Sequence, residues 1–219
     1  SELLIKGKSK KEILIFSYIC HPSMANNELS GPLVITALAK ILKPSKYSVR
    51  LLLIPETIGA VAFISKNLKF LKKNLIAGFN LTCCGDKGNF SIIRSKEENT
   101  YSDKIVKRLF PNFKHYSFLS RGSNERQFGC QNLNLPFVTL CRTKFGMYKE
   151  YHTSEDNLNF IKEKYLTDTL KKTLKIIKEI QESKIFIKKK FCEPFLTKYN
   201  LINSLSQKEN LKIKYSKNI

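Results

Sequence analysis

A chain of 219 residues suits one sizeable domain with room for an appendage. Its 42% hydrophobic and 26% charged residues exclude a disordered polymer, and no apolar run approaches the roughly 20 residues of a membrane helix. The net charge of +21 invites a nucleic-acid reading, which the distribution of charge opposes. Residues 1–159 hold 24 Lys and Arg against 12 Asp and Glu, and residues 160–219 hold 15 against 6. Most of these cations are lysines scattered singly, without the arginine forks or aromatic platforms that read bases. No specific nucleic acid is therefore expected on the core domain.

The chain opens at Ser1 and enters a strand-like segment almost at once, with no signal peptide or initiator methionine. It is expected to be a fragment with its N-terminal part outside the sequence. Six cysteines form no CxxC pair and no metal-ligand spacing. Several sit in apolar runs, where a thiol acts as a small hydrophobe, so a reducing cytoplasm is expected.

In chain order, residues 12–19 (EILIFSYI) form a β-branched and aromatic run expected to be a buried strand, ending at Cys20-His21-Pro22. The loop SMANNELSGP leads into a helix over 33–42, which Lys43-Pro44 ends. The apolar run 49–55 (VRLLLIP) predicts an interior strand, and Glu56-Thr57 opens a helix to about residue 73. Strands are predicted over 75–84, near 90–93 and over 136–141, with a helix over 101–110. Apolar residues from Phe160 to Ile180 recur at helical spacing, predicting an amphipathic helix over 159–184. Alternating strands and helices predict a three-layer α/β/α sandwich with a mostly parallel mixed sheet over residues 1–185. The Lys-rich stretch 186–219 reads as a linker into a truncated C-terminal segment.

Functional loops of such a fold leave the carboxyl ends of strands. Three notable segments follow strands directly: Cys20-His21-Pro22, Pro55-Glu56-Thr57 and Thr82-Cys83-Cys84-Gly85-Asp86. A fourth, Tyr151-His152-Thr153-Ser154-Glu155-Asp156, precedes the final helix. His21, Glu56 and His152 are thus expected around one cleft. Neutral imidazole is a good zinc ligand, and a carboxylate beside the metal can take a proton from bound water.

The order His21, NNELSG (26–31), Glu56-Thr57-Ile58-Gly59, SNERQF (123–128) and YHTSEDN (151–157) resembles the zinc aminopeptidase and glutaminyl-cyclase superfamily. The likeness is greatest to a bacterial aminopeptidase-like subgroup with an upstream domain and a C-terminal winged helix. It covers roughly residues 1–200, with CEPFLTKYNL (192–201) similar to the passage into the winged helix. The resemblance implies that His21 is the first metal-binding histidine, His152 the last, and Glu56 the general base. It implies that Asn26-Asn27 stands where two-metal members place a bridging aspartate. It also implies that Thr57 and Thr82 replace carboxylate ligands, and that Asn124 stands where the subgroup usually has aspartate.

Two zinc ions need a shared carboxylate and several private ones, so at most one ion is expected. His21, His152 and a third group would hold it, and Glu125, Asp86 and Asn27 are the candidates. Arg126 could anchor a substrate carboxylate or pair with Glu125. Asp156 and Ser154 either cap the final helix or, in Asp156's case, orient His152, and Tyr151 borders the site. The expected function is an aminopeptidase-type amide hydrolase acting on a small peptide or amide substrate. Rivals are a catalytically inactive peptide- or sugar-binding domain and a hydrolase of a non-peptide amide. No membrane partner is expected, and the oligomeric state is left open.

Overall fold

The computed structural model describes residues 1–183, together with Phe195 and Lys198. The chain divides into two compact units, Ser1–Glu182 and Ser183–Ile219. The linker and winged-helix expectation for 186–219 lies, apart from Phe195 and Lys198, outside the described residues.

Seven strands form one sheet: β1 (Glu2–Ile5), β2 (Ser9–Ile19), β3 (Tyr47–Pro55), β4 (Leu75–Leu81), β5 (Ser91–Ile93), β6 (Lys114–Tyr116) and β7 (Phe137–Cys141). Their spatial order is β1-β3-β2-β4-β7-β5-β6. The neighbours β3-β2-β4-β7 pair in parallel, as do β5 and β6, while β1 joins β3 and β5 joins β7 antiparallel. The predicted mostly parallel mixed sheet is the sheet observed.

The run Ile13-Leu14-Ile15-Phe16 is fully buried because β2 is central and covered on both faces. Successive side chains point to opposite faces, and two cores result. Ile13 and Ile15 pack with Leu38 of α1 (Ser30–Ile41), Ile105 of α3 (Tyr101–Leu109) and Ile176 of α5 (Glu163–Glu182). Leu14 and Phe16 pack with Phe63 of α2 (Ile58–Asn74) and Phe128 of the single turn α4 (Glu125–Phe128). These are the three expected layers. The rings of Phe16, Phe128 and Phe137 meet with centroids 4.2 to 5.5 Å apart. On the neighbouring strand and the same face, Gly78 lies so close to Phe137 that a Cβ would fall 2.4 Å from its ring.

Local chemistry explains most helix ends. Thr100 and Asp103 form a reciprocal capping box at the start of α3. Lys72 and Lys73 close α2, where cations suit the negative end of the helix. Several predicted boundaries move, α1 starting at Ser30 rather than residue 33 and β2 at Ser9 rather than residue 12. The strand expected over 75–84 stops at Leu81, since Cys83 adopts φ 49° and leaves the extended conformation. The last helix starts at Glu163 rather than 159, because the Lys162 amide donates to the Gly85 carbonyl (3.0 Å) and holds the preceding residues in turns. The segment Ala25–Leu29, read as loop, is one turn of π-helix running straight into α1.

Candidate active site

The sheet delivers the site residues as expected from strand ends. β2 gives way to Cys20 and His21, β3 to Glu56 and Thr57, and β4 to Thr82. The π-turn then lies over these ends, held from far along the chain by Asp156. The two Asp156 carboxylate oxygens accept from the backbone amides of Asn26 (2.5 Å) and Asn27 (3.0 Å), and its carbonyl accepts from Ala25. Tyr148 donates to the same carboxylate at 3.3 Å. Asp156 therefore does not cap α5, which begins seven residues later, and its carboxylate fixes the Asn26-Asn27 turn. Gly31, at the start of α1, permits the close packing below. A Cβ there would lie 2.2 Å from Ser17 Oγ and 2.4 Å from the Leu81 carbonyl oxygen.

His21 Nδ1 is 2.8 Å from Glu28 Oε1. Glu28 also accepts from the Cys20 amide (2.7 Å) and from Asn27 Nδ2 (3.1 Å). Burial raises the Glu28 carboxyl above its ordinary range, and the hydrogen bond to His21 offsets only part of that rise. A carboxylate on Nδ1 fixes the imidazole so that Nε2 carries the free lone pair. His152 sits at φ 58° with its ring centroid 4.4 Å from that of His21, stacked on Tyr151 at 3.9 Å and 16°. Desolvation, with the nearby His21 as the second cause, lowers the His152 pKa, which favours the neutral, ligating form. Burial is also the leading reason that the Tyr151 phenol is pushed up to about 12.

Glu56 reaches His21 and Cys20. Ligand atoms of Cys20, His21 and Glu56 all lie within 4.8 Å of one another, the group of three His, Cys, Asp or Glu side chains that closes up among the described residues. Thr57, next along, takes φ 57° and ψ −68°, an unusual conformation for a β-branched residue. Asn124 holds it, accepting from the Thr57 amide at 2.6 Å through a side chain that is fully buried. Partial desolvation of its sulfur, followed by the neighbouring Glu56 carboxylate, pushes the Cys20 thiol up to about 11.

Other expected residues serve the frame. Buried Glu125 accepts from the amides of Gly122 (2.8 Å) and Ser123 (3.0 Å) and from Asn80 Nδ2 (3.2 Å). It does not pair with Arg126, whose guanidinium donates to Thr57 Oγ1 at 3.3 Å. Asp86 accepts from Asn26, Gly88 and both the amide and hydroxyl of Thr143. Asn27 turns its amide nitrogen toward Glu28, while its carbonyl oxygen accepts from Tyr18 Oη at 3.2 Å. Tyr18 Oη is also 2.6 Å from Thr82 Oγ1, so a neutral network fills this side of the site.

The residues present fit one zinc ion and not two. Two imidazoles on one tetrahedral zinc, with bonds of about 2.0–2.1 Å, place their ring centroids about 5 Å apart, close to the separation found here. Asn27, Thr57 and Thr82 carry neutral side chains and offer no charged oxygen to a second ion. Beside His21 opens a cavity of about 760 Å³ lined largely by apolar groups, among them Ile19, Met24, Leu29, Pro32 and Leu158. Sequence reasoning passed over Cys20, Glu28, Tyr18 and Tyr148. Only Glu28 carried a usable signal, an acidic residue seven positions after a loop histidine.

Three comparisons bear on this arrangement. A Clostridium acetobutylicum protein, provisionally named as a polysaccharide biosynthesis protein with an aminopeptidase-like domain, is 39% identical over 204 residues. The match takes in 90% of this chain and 46% of that protein. The crystal structure of a protein provisionally named a peptidase, also from C. acetobutylicum, superposes with a TM-score of 0.78 at 39% identity, over 90% of this chain and 48% of that one. A zinc aminopeptidase from Bacillus subtilis shares the fold at a TM-score of 0.68 and 16% identity, over 85% of this chain and 51% of its own. The chain spans about half the length of the relatives it matches. Among the described residues no helix is long and apolar enough to cross a membrane. The fold is aminopeptidase-like, and residues 1–183 match the family described as Domain of unknown function (DUF4910), to which this chain belongs.

Proposed function

We propose that this chain carries an aminopeptidase-type amide hydrolase site built for a single zinc ion, with His21 and His152 as ligands and Glu56 as general base. The observation that carries the reading is the pair of imidazoles 4.4 Å apart, one fixed through Nδ1 by Glu28 and one stacked on Tyr151. Zinc, when bound, would polarise the scissile carbonyl and acidify a water. Glu56 would serve as the general base, holding the proton of an attacking water and returning it to the leaving amine. Asp156 and Glu28 hold the loop and the His21 ring, and Tyr151 stacks on the exposed His152 ring and orients it. The apolar cavity beside His21 receives the part of the substrate next to the amide. The substrate is a small peptide or another amide. The relative's name keeps an N-acyl group on a sugar in view. A cytoplasmic setting belongs to the same proposal.

A second reading, a binding domain without hydrolysis, draws support from Thr57 and Thr82, whose neutral side chains stand where related enzymes use carboxylates. Zinc titration calorimetry on the 219-residue chain separates the two. The hydrolase reading expects one zinc per chain, with affinity falling at least about tenfold in both His21→Ala and His152→Ala. Absence of zinc binding by the parent chain would leave the binding-domain reading.

A further inference from the structure

The single-zinc reading lacks a third protein ligand, and the side chains suggested by sequence do not supply it. Asp86 and Glu125 are buried and committed to hydrogen bonds within the frame. The Asn27 carbonyl oxygen is turned to Tyr18. A zinc ion held by two neutral imidazoles alone would keep its full double charge in a partly desolvated cleft, which disfavours binding.

We infer that Cys20 is the missing ligand, so that the ion proposed for this site is bound by Cys20 Sγ, His21 and His152, with the fourth position open beside Glu56. This rests on the zinc reading above. Cys20 is exposed, and its sulfur belongs to the group in which the Cys20, His21 and Glu56 donor atoms lie within 4.8 Å of one another. Zinc bonds of about 2.3 Å to sulfur and 2.0–2.1 Å to nitrogen put those two atoms about 3.6 Å apart at a tetrahedral angle. Closing the difference takes a movement of up to about an ångström at the cleft surface, and His152, which stands outside that group, must turn a ring nitrogen toward the same point. The Cys20 amide donates to the same Glu28 carboxylate that fixes His21, so one acidic residue orients the backbone of one ligand and the ring of the other. On binding, the S–H bond breaks, its proton leaves to solvent, and the thiolate forms the S–Zn bond. The thiolate charge does what an aspartate at position 27 would do, and it shifts metal preference toward softer ions. Glu56 is then free to act as base rather than ligand.

Cobalt(II) substitution reads this directly, since a thiolate ligand adds an intense near-ultraviolet sulfur-to-cobalt band that nitrogen and oxygen ligands lack. The expected result is a band in the cobalt-loaded parent chain that disappears in Cys20→Ala and persists in Cys130→Ala, a substitution of the other exposed thiol among the described residues. Zinc affinity should fall at least about tenfold in Cys20→Ala. Cys20→Asp, an anionic donor without sulfur, should recover part of the affinity without the band. If cobalt binds through His21 and His152 with no such band, or if Cys20→Ala keeps the parent's zinc affinity within about twofold, the inference is overturned while the zinc reading stands. If the parent binds neither metal, both fall together.

Discussion

Restoring an aspartate at position 27 tests the electrostatics of the site more sharply than removing a residue would. In Asn27→Asp an oxygen replaces the amide nitrogen that donates to Glu28 Oε1 at 3.1 Å, so two carboxylates meet in a place where both residues are buried. Their repulsion at that distance is about 5 kcal/mol for an effective dielectric of 20. One carboxyl can escape by holding a proton, at a cost near pH 7 of about 4 kcal/mol from an ordinary aspartate pKa of about 3.9. The smaller figure sets the loss, so without metal the variant should be less stable than the parent by up to about 4 kcal/mol. The shared proton raises the folded-state pKa above the unfolded one. Stability is therefore retained at low pH and lost as pH rises, and near pH 5 the deficit should shrink to about 1.5 kcal/mol. Urea unfolding in chelator at both pH values measures this. Zinc should reverse the order, because a carboxylate is a charged and harder donor than an amide and the variant binds the ion more tightly. A variant as stable as its parent in chelator near pH 7 would refute the Asn27–Glu28 contact. One whose zinc affinity is unchanged would show that position 27 does not face the metal.

Asp156→Asn removes the charged acceptor of the Asn26 and Asn27 amides. It should cost about 2–3 kcal/mol in thermal unfolding and lower zinc affinity about ten- to hundredfold, by loosening the turn rather than by removing a ligand. Gly31→Ala would drive a Cβ into Ser17 Oγ and the Leu81 backbone, and should cost about 3 kcal/mol, or roughly 6–12 °C in Tm.

The layers of the fold are legible because the interior strands are unbroken apolar runs. The segment 12–19 admits no other reading when its four middle residues lie at the centre of a covered sheet. Boundaries are less legible, since they depend on partners elsewhere. Phe160 and Ile161 fall into the helical period of α5, yet the bond from Lys162 to Gly85 keeps them in the turn before it. Strand β6, three residues long and with two polar side chains, offers no periodicity to find. The site divides in the same way. His21, Glu56 and His152 stand out through their motifs, and the structure brings His21 together with each of the other two. Cys20 hides because a thiol at the end of an apolar strand reads as a small hydrophobe. The role of Asp156 depends on a contact 130 residues away, beyond the reach of local pattern.

The central claim is that Glu56 acts as a base at a zinc held by its neighbours. The measurement that tests it most directly is hydrolysis of aminoacyl-anilides by the zinc-loaded chain and by Glu56→Gln, with zinc content determined on the same samples. The account expects one zinc in both proteins, measurable hydrolysis in the parent, and a loss of at least about a hundredfold in Glu56→Gln. Equal rates in the two proteins, or loss of zinc along with the carboxylate, would contradict it.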